Sequence, residues 1–360
     1  MFCIAAFIVL AILGIFSARY RQLAGRAWQC VIKKLTFKKC DINFAEEVKG
    51  KLLGRLIISH PGLARFLNKW IDFLALVFVV LSVWSLLYVA VAGLNLFVYD
   101  TCKPQSGQSC SLSGEACTIG RQELGFWGSV KANQEGTWLK QEFGDLWQTV
   151  SLVPSRLKSW DATKYLSPKP TYYYPFDQVK PVAIEIIDPG CKYCAELFKN
   201  IKQSGFENKY NLSYIVYPIQ DPDTLNGWHF ANSNVVASYL EAVKEVMPNT
   251  PVGNVAPDWQ ILEKIFTGKD SHGQPWQSQF NLIFNEQQAT VVIQQFLKEA
   301  GYSESQIDQI NTFSQSLQVK ARLDRQREIV EKEVQTVKIP TILFGGRRYD
   351  RVIGADKLTK

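Results

Sequence analysis

The chain has 360 residues, of which 47% are hydrophobic, and a formal net charge of +7. Modest Gly and Pro contents and 12% aromatic residues exclude a collagen, a coiled coil and a fully disordered chain. Two long runs without Lys, Arg, Asp or Glu, residues 2–16 and 73–98, exclude a purely soluble protein.

The first apolar run extends from Phe2 to Phe16 and is short for a transmembrane helix. Its positive charges, Arg19, Arg21 and Arg26, follow the run, whereas a signal peptide carries them in front. This order predicts a transmembrane helix at about residues 2–18 with the N-terminus outside the cytoplasm. A cleaved signal peptide is the alternative.

The second run predicts a transmembrane helix at residues 73–98, because its length exceeds the ~20 apolar residues that span a bilayer. Residues 17–70 carry a net charge of +9, whereas residues 100–360 carry −1. Basic residues concentrate on cytoplasmic loops of membrane proteins. We therefore expect a multi-pass plasma-membrane protein that contacts the lipid bilayer, with residues 17–70 cytoplasmic and residues 100–360 extracytoplasmic. A nucleic-acid partner is excluded, because the folded domain carries no basic excess.

Residues 100–177 are predicted to form an extracytoplasmic linker. Residues 103–135 are rich in Gly, Ser and Gln, which is typical of loops. A short helix or two is predicted from Gly136 to Leu152. The segment from Ser167 to Phe176 is predicted to be extended, because each proline disfavours helix in the residue before it.

An α/β domain is predicted for residues 178–360. The β-branched run from Val182 to Ile187 predicts a buried strand, and the turn Asp188-Pro189-Gly190 ends it. Cys191-Lys192-Tyr193-Cys194 then opens a helix that ends at Gly205. Because a second strand is predicted from Asn211 to Val216, the segment is a βαβ unit with Cys-x-x-Cys at its first turn.

The rest of this domain is predicted to contain a helical insertion at about residues 221–335, followed by a hairpin. Helical periodicity covers residues 229–247, 258–267, 286–300 and 303–336. A strand from Val337 to Phe344 is predicted next, followed by a tight turn at Gly345-Gly346-Arg347-Arg348 and an antiparallel return from Tyr349 to Gly354.

Cys191 and Cys194 carry the chemistry that the sequence predicts. A cysteine at a helix N-terminus is favoured as a thiolate by unpaired N–H groups and the helix dipole. A second cysteine one turn later can attack a mixed disulfide formed at the first. A structural disulfide and a zinc site are the alternatives, although His229 and His272 give no matching ligand pair.

Two stretches, VAIEIIDPGCKYCAELF and VKIPTILFGGRRYDRVIGA, resemble the thioredoxin superfamily. The helical insertion between them is similar to that of its DsbA-like extracytoplasmic thiol–disulfide oxidoreductases. The resemblance covers about half of the chain and implies a thioredoxin-like α/β fold. It also implies a redox-active Cys191–Cys194 disulfide in place of any cofactor or metal.

The resemblance further assigns roles to single residues. It implies that Cys191 is the nucleophile, Cys194 the resolving cysteine and Pro340 the cis-proline that faces them. The backbone of Ile339 would pair with a bound peptide as an added strand. Lys192 and Tyr193, between the two cysteines, are expected to contact the substrate, and Lys192 could also stabilise a thiolate if its amine turned inward.

Glu185 matches a buried acid of the family that could accept or supply the proton of Cys194. A carboxylate inside an apolar strand is costly without such a role or a partner. A glutamate that points from the strand edge to solvent is the alternative. For Pro340 the alternative is a strand-start proline with a trans bond.

Six of the eight cysteines are expected on the oxidising side of the membrane, where disulfides form. Four of them have two alternative roles, as structural disulfides or as a relay pair that passes electrons to Cys191–Cys194: Cys3, Cys102, Cys110 and Cys117. Cys30 and Cys40 fall in the cytoplasmic loop, where plain thiols or a regulatory or metal-binding pair are open.

The predicted function is that of a membrane-anchored thiol–disulfide oxidoreductase that acts on exported proteins and exchanges electrons with a membrane redox partner. A reductase or isomerase supplied by a membrane electron donor is one alternative. A binding module with a thioredoxin-like fold and an inert Cys191–Cys194 bond is the other. The direction of electron flow depends on redox potentials that the sequence does not fix.

Overall fold

The computed structural model describes most of the chain from residue 61 onward. Contacts divide the chain into two compact units, Met1–Val91 and Ala92–Lys360. The first predicted transmembrane helix and five cysteines lie outside the described residues: Cys3, Cys30, Cys40, Cys102 and Cys110. The described residues are 25, 28, 29, 61–99, 116–119, 126–246 and 254–359.

The second apolar run forms one long helix, α1 (Pro61–Tyr99), which begins twelve residues before the predicted start. Proline suits a first helical turn, where its missing N–H is not needed, and no further proline interrupts the run. From Val77 to Tyr99 the helix has a mean hydropathy of 2.4 and is long and apolar enough to cross a membrane. Large apolar side chains such as Leu86, which is 70% exposed, cover its surface.

Residues 116–177 contain more regular structure than the predicted linker. The predicted helix near residues 136–152 is present and longer, and the segment from Ser167 to Phe176, predicted to be extended, forms no strand and has bends at residues 168–169 and 173–174. A two-residue strand and a short helix were not predicted. The elements in order are β1 (Cys117–Thr118), α2 (Phe126–Lys131), α3 (Glu135–Leu157) and a 3₁₀ helix (Ala162–Tyr165).

The predicted βαβ unit is present. Gly205 ends its helix in the left-handed conformation with φ 62°, which a glycine adopts without steric cost. The apolar face of that helix and both strands are buried in the main core of the domain. The elements are β2 (Val182–Ile187), α4 (Lys192–Ser204), α5 (Phe206–Lys209) and β3 (Asn211–Val216).

The helical insertion is also present, with one helix more than predicted and with breaks inside the last stretch. Ser316 makes one of these breaks, because its hydroxyl accepts the Val319 N–H and caps a new helix. The elements are α6 (Ser233–Val246), α7 (Pro257–Thr267), α8 (Trp276–Leu282), α9 (Glu286–Glu299), α10 (Glu304–Ser314), α11 (Leu317–Glu328) and a π-helix (Ile329–Val334).

The chain ends with β4 (Lys338–Ile339), β5 (Thr341–Phe344), β6 (Arg347–Tyr349) and α12 (Ala355–Leu358). The main sheet has the order β3-β2-β5-β6, with β2 parallel to β3 and antiparallel to β5. β6 runs antiparallel to β5 and begins two residues earlier than predicted, because Gly345 and Gly346 alone make the turn and Arg347 already pairs with Phe344. This arrangement, with a helical insertion between β3 and β4, is the thioredoxin-like α/β fold that the sequence predicts.

The last residues of α1 pack within the second unit. Val98 and Tyr99 form a small buried cluster with Leu152 of α3. The Thr149 hydroxyl donates a hydrogen bond of 2.9 Å to the side-chain oxygen of Asn95. Residues 95–99, which belong to the second unit, therefore pack against α3.

Candidate active site

Cys191 and Cys194 lie at the turn between β2 and α4, as the sequence predicts. Cys191 is the N-cap residue of α4, and Cys194 follows one helical turn later. Both side chains are fully buried. The N–H groups of Cys194 and Ala195 donate to the Cys191 carbonyl oxygen, at 3.0 and 3.3 Å, and so begin α4 at this residue.

The buried carboxylate of Asp188 fixes the turn that precedes Cys191. Its Oδ1 accepts the Gly190 N–H at 2.8 Å and the Ser233 hydroxyl, and its Oδ2 accepts the Ile219 N–H at 2.8 Å. Burial raises the pKa of Asp188 to about 6, against the opposing effect of these hydrogen bonds. The carboxylate therefore ties the turn to the end of β3 and to α6.

Helix α8 holds the same turn from the opposite side, and the sequence analysis missed it. The Gln277 side-chain amide donates to the carbonyl oxygens of Pro189 at 2.8 Å and Cys191 at 3.1 Å. The Asn281 amide donates to the carbonyl oxygen of Gly190 at 2.8 Å. Two amides four residues apart share one helix face, which is the sequence signal that could have identified them.

Glu185 lies in the centre of the sheet and is fully buried, so the alternative of a glutamate directed to solvent is wrong. Among the described residues, neither carboxylate oxygen of Glu185 has a hydrogen-bond partner. Burial raises the pKa of Glu185 to about 8. Burial also raises the pKa of the Cys194 thiol well above its usual range, and the charge of Glu185 adds to that increase. The two groups are thus electrostatically coupled inside the core.

Pro340 follows a cis peptide bond, the isomer that the resemblance implies, so the trans alternative is wrong. The Sγ atom of Cys191 lies 3.8 Å from the carbonyl oxygen of Ile339. The loop from Ile339 to Pro340 therefore faces the first cysteine of the pair.

The disulfide at this site differs from the predicted one. Cys191 is bonded to Cys117, and Cys194 is a free, buried thiol. The physical reason is that β1 pairs antiparallel with β4 and brings Cys117 opposite Ile339, next to Cys191. The Cα atoms of Cys117 and Cys191 are 6.5 Å apart. Cys191 is thus bonded to a cysteine on β1, while Cys194 lies one helical turn away on its own helix.

The two residues between the cysteines lie at the surface side of α4. Lys192 is exposed, and its Nζ lies 4.7 Å from the centre of the Tyr193 ring. Its charge therefore faces an aromatic ring in this form. Within the described parts of the chain, no group of three or more His, Cys, Asp or Glu side chains could hold a metal ion.

No protein-family model and no curated protein matches the sequence. Among solved structures, the chain is similar to the thiol–disulfide exchange protein alpha-DsbA2 from Wolbachia pipientis, with 17% identity and a TM-score of 0.34 over 52% of this chain and 83% of that chain. It is similar to MdbA, a thiol–disulfide oxidoreductase from Corynebacterium diphtheriae, with 14% identity and a TM-score of 0.36 over 51% of this chain and 85% of that chain. It is also similar to ScsC from Proteus mirabilis, with 12% identity and a TM-score of 0.36 over 64% of this chain and 92% of that chain. Likenesses at this level leave the function to be judged from the site itself.

Proposed function

We propose that the protein is a thiol–disulfide oxidoreductase in which Cys191 is the exchanging cysteine and Cys194 resolves the mixed disulfide. One observation carries the proposal: Cys191 is disulfide-bonded to a strand that pairs with the loop before Pro340. A peptide substrate captured at this site would make the same two contacts, a backbone ladder and a bond to Cys191.

In the proposed oxidising reaction, a substrate thiolate attacks Cys191 Sγ of a Cys191–Cys194 disulfide. The bond between the two cysteines breaks, Cys194 leaves as a thiolate, and the protonated Glu185 supplies its proton. A second substrate thiolate then attacks the substrate sulfur, which forms the substrate disulfide and releases the Cys191 thiolate. Two electrons pass from the substrate to the Cys191–Cys194 pair, and the N-terminus of α4 stabilises the thiolate that remains.

The proposed substrates are exported proteins, and the proposed place of action is the outer face of the plasma membrane. Support comes from the apolar length of α1, its exposed aliphatic surface and the +9 charge of residues 17–70. An exchange enzyme of this kind needs a redox partner that restores its disulfide, and a membrane-bound electron acceptor is proposed for that role. Reduction would use the same residues in the opposite direction, with Cys194 attacking the mixed disulfide at Cys191, and isomerisation would combine the two directions without net electron transfer.

A second candidate function is a non-catalytic binding module in which the Cys117–Cys191 bond is a structural staple. The observation that favours it is the complete burial of Cys191, which keeps other thiols away from the sulfur in this form. The two functions differ in whether the sulfur of Cys191 takes part in thiol–disulfide exchange with other thiols.

The proposed function is tested with the full-length Cys117→Ser variant, oxidised in detergent and mixed with a synthetic peptide that carries two thiols. The exchange enzyme is expected to oxidise the peptide and to open one Cys191–Cys194 bond per chain, as measured by mass spectrometry of alkylated peptides. The additional change Cys191→Ser should abolish the reaction. If a folded Cys117→Ser chain does not oxidise the peptide, the result favours the binding module.

A further inference from the structure

Residues 116–119 lie along the loop that precedes Pro340 in the manner of an added strand. Cys117 pairs with Ile339, and Thr118 pairs with Lys338, in antiparallel register. Beyond this ladder, the Ile119 N–H donates to the carbonyl oxygen of Val337 at 2.9 Å. Backbone hydrogen bonds of this kind bind an extended segment whatever its side chains are.

The register of this strand brings a sulfur to the reactive position. Cys117 lies opposite Ile339, whose carbonyl oxygen is 3.8 Å from Cys191 Sγ. The segment therefore combines backbone pairing with a covalent bond to Cys191, while Ile339 and Cys191 are fully buried. In this form, the place where an external peptide would pair is already occupied.

We infer that residues 116–119 occupy the Cys191 site as a substrate strand would, and that Cys117 is a third redox cysteine. This inference rests on the function proposed above. When Cys117 is bonded to Cys191, the site is closed to external thiols. When Cys194 takes the place of Cys117, the strand is released and the site opens.

The exchange between the closed and open forms needs no external oxidant or reductant. The Cys194 thiol gives its proton to the Glu185 carboxylate, and the resulting thiolate attacks Cys191 Sγ. The Cys191–Cys194 bond forms as the Cys117–Cys191 bond breaks, and the electron pair of the broken bond goes to Cys117. The Cys117 thiolate takes up a proton, so Cys117, Cys191 and Cys194 share one disulfide before and after the exchange.

The small extent of the pairing is consistent with a strand that leaves. β1 has two residues, and the hydrogen bond from Ile119 to Val337 adds one contact beyond it. A permanent structural disulfide has no need of a free thiol one helical turn from the bonded sulfur, whereas disulfide exchange requires such a thiol. Cys194 meets that requirement.

The test maps disulfides in the oxidised full-length protein in detergent, by mass spectrometry of non-reduced digests. We expect two linked peptides in the unmodified chain, one joining Cys117 to Cys191 and one joining Cys191 to Cys194. Cys194→Ser should leave the first linked peptide, and Cys117→Ser should leave the second.

A matched pair of substitutions tests the strand itself without changing a thiol. Ile119→Pro removes the N–H that donates to Val337, and it should lower the ratio of closed to open form by about fivefold, the effect of losing one net hydrogen bond. Ile119→Ala keeps the N–H and also removes most of the side chain that packs against the core, so it is the reference variant, and the fivefold effect of Ile119→Pro is measured relative to it. An equal ratio in the two variants would overturn the role of backbone pairing.

Reaction with a peptide that carries two thiols separates this inference from the proposed function. Cys117→Ser should oxidise the peptide several times faster than the unmodified chain, because no fraction of it is closed. If Cys117→Ser oxidises the peptide and the unmodified chain contains no Cys117–Cys191 link, the inference is overturned and the proposed function stands. If the link is present and neither protein exchanges, the proposed function fails and the bond is a structural staple.

Discussion

At the scale of single residues, the proposed chemistry of the site depends on the coupling of Glu185 with Cys194. Burial raises the pKa of both groups, so the carboxyl and the thiol are each neutral over a wider pH range than in water. In the proposed mechanism, an ionised Glu185 takes the Cys194 proton as the thiol attacks. The cost of burying this carboxyl is consistent with a role in proton transfer.

The first prediction concerns the pH dependence of resolution. Because Glu185 must be a carboxylate to accept a proton, attack by Cys194 on a mixed disulfide at Cys191 should accelerate as pH rises through about 8. Glu185→Gln should slow the step by about 10²-fold or more and remove that titration. The measurement is the release of glutathione from a mixed disulfide at Cys191 in the Cys117→Ser background.

Glu196→Gln is the matched control, because Glu196 is exposed on the same helix, α4. It should keep both the rate and the pH profile. A profile that is the same in Glu185→Gln and the parent protein would contradict the proton-transfer role.

The second prediction compares two glycines. A Cβ atom added at Gly190 would overlap the side chains of Phe230 and Ser233, whereas one added at Gly144 in α3 meets nothing within 4 Å. Gly190→Ala should therefore destabilise the protein by about 1–3 kcal/mol. Gly144→Ala should be neutral or stabilise it by up to about 1 kcal/mol, because alanine favours helix. Thermal unfolding of the two variants measures the difference, and equal midpoints would contradict this packing.

At the scale of secondary-structure elements, the sequence predicts the parts that local patterns determine. β2, α4 and β3 combine apolar runs with a clear break at Gly205, and they occur where predicted. β1 was missed because two residues in a polar segment carry no strand signal, and its pairing partner β4 lies about 220 residues away. α8 has seven residues, too few for a clear helical period.

Contacts between distant segments also limit how much of the candidate site the sequence predicts. The sequence identifies Cys191 and Cys194 from their spacing at a helix N-terminus, Pro340 from a resemblance, and Glu185 from that resemblance and its place inside an apolar strand. It does not identify Cys117 as the partner of Cys191, because that contact depends on how distant segments pack. The amides of α8 were missed for the same reason.

The third prediction tests α8. Gln277→Ala removes two hydrogen bonds to the turn that carries Cys191, and each is worth about 0.5–1.5 kcal/mol. We expect a lower unfolding midpoint and faster alkylation of Cys191 after mild reduction, because the turn is less firmly held. Gln287→Ala, at an exposed position of α9, is the control and should change neither measurement. Equal alkylation rates for the two variants would argue against α8 as a support of the site.

At the scale of the whole molecule, the charge and cysteine distributions agree with the proposed topology. The basic excess lies at residues 17–70, and Cys117, Cys191 and Cys194 lie after the apolar helix α1. Disulfides form and persist outside the cytoplasm, so the Cys117–Cys191 bond fits an extracytoplasmic domain.

The fourth prediction follows from this topology. In intact spheroplasts, a membrane-impermeant thiol reagent should label Cys191 after mild reduction and should spare Cys30 and Cys40. A permeant reagent provides the control and should label Cys30 and Cys40 as well. Labelling of Cys30 and Cys40 by the impermeant reagent, with Cys191 protected, would place the domain in the cytoplasm and remove exported proteins as substrates.

The central claim is that Cys191 and Cys194 form an exchangeable disulfide. It is tested most directly by the reduction potential of that bond in the full-length Cys117→Ser protein, equilibrated with glutathione or dithiothreitol buffers and quantified by alkylation and mass spectrometry. An exchange enzyme should have a potential between about −120 mV, typical of an oxidase, and about −270 mV, typical of a reductase. A Cys191–Cys194 bond that stays oxidised below about −300 mV, as structural disulfides do, would contradict the claim.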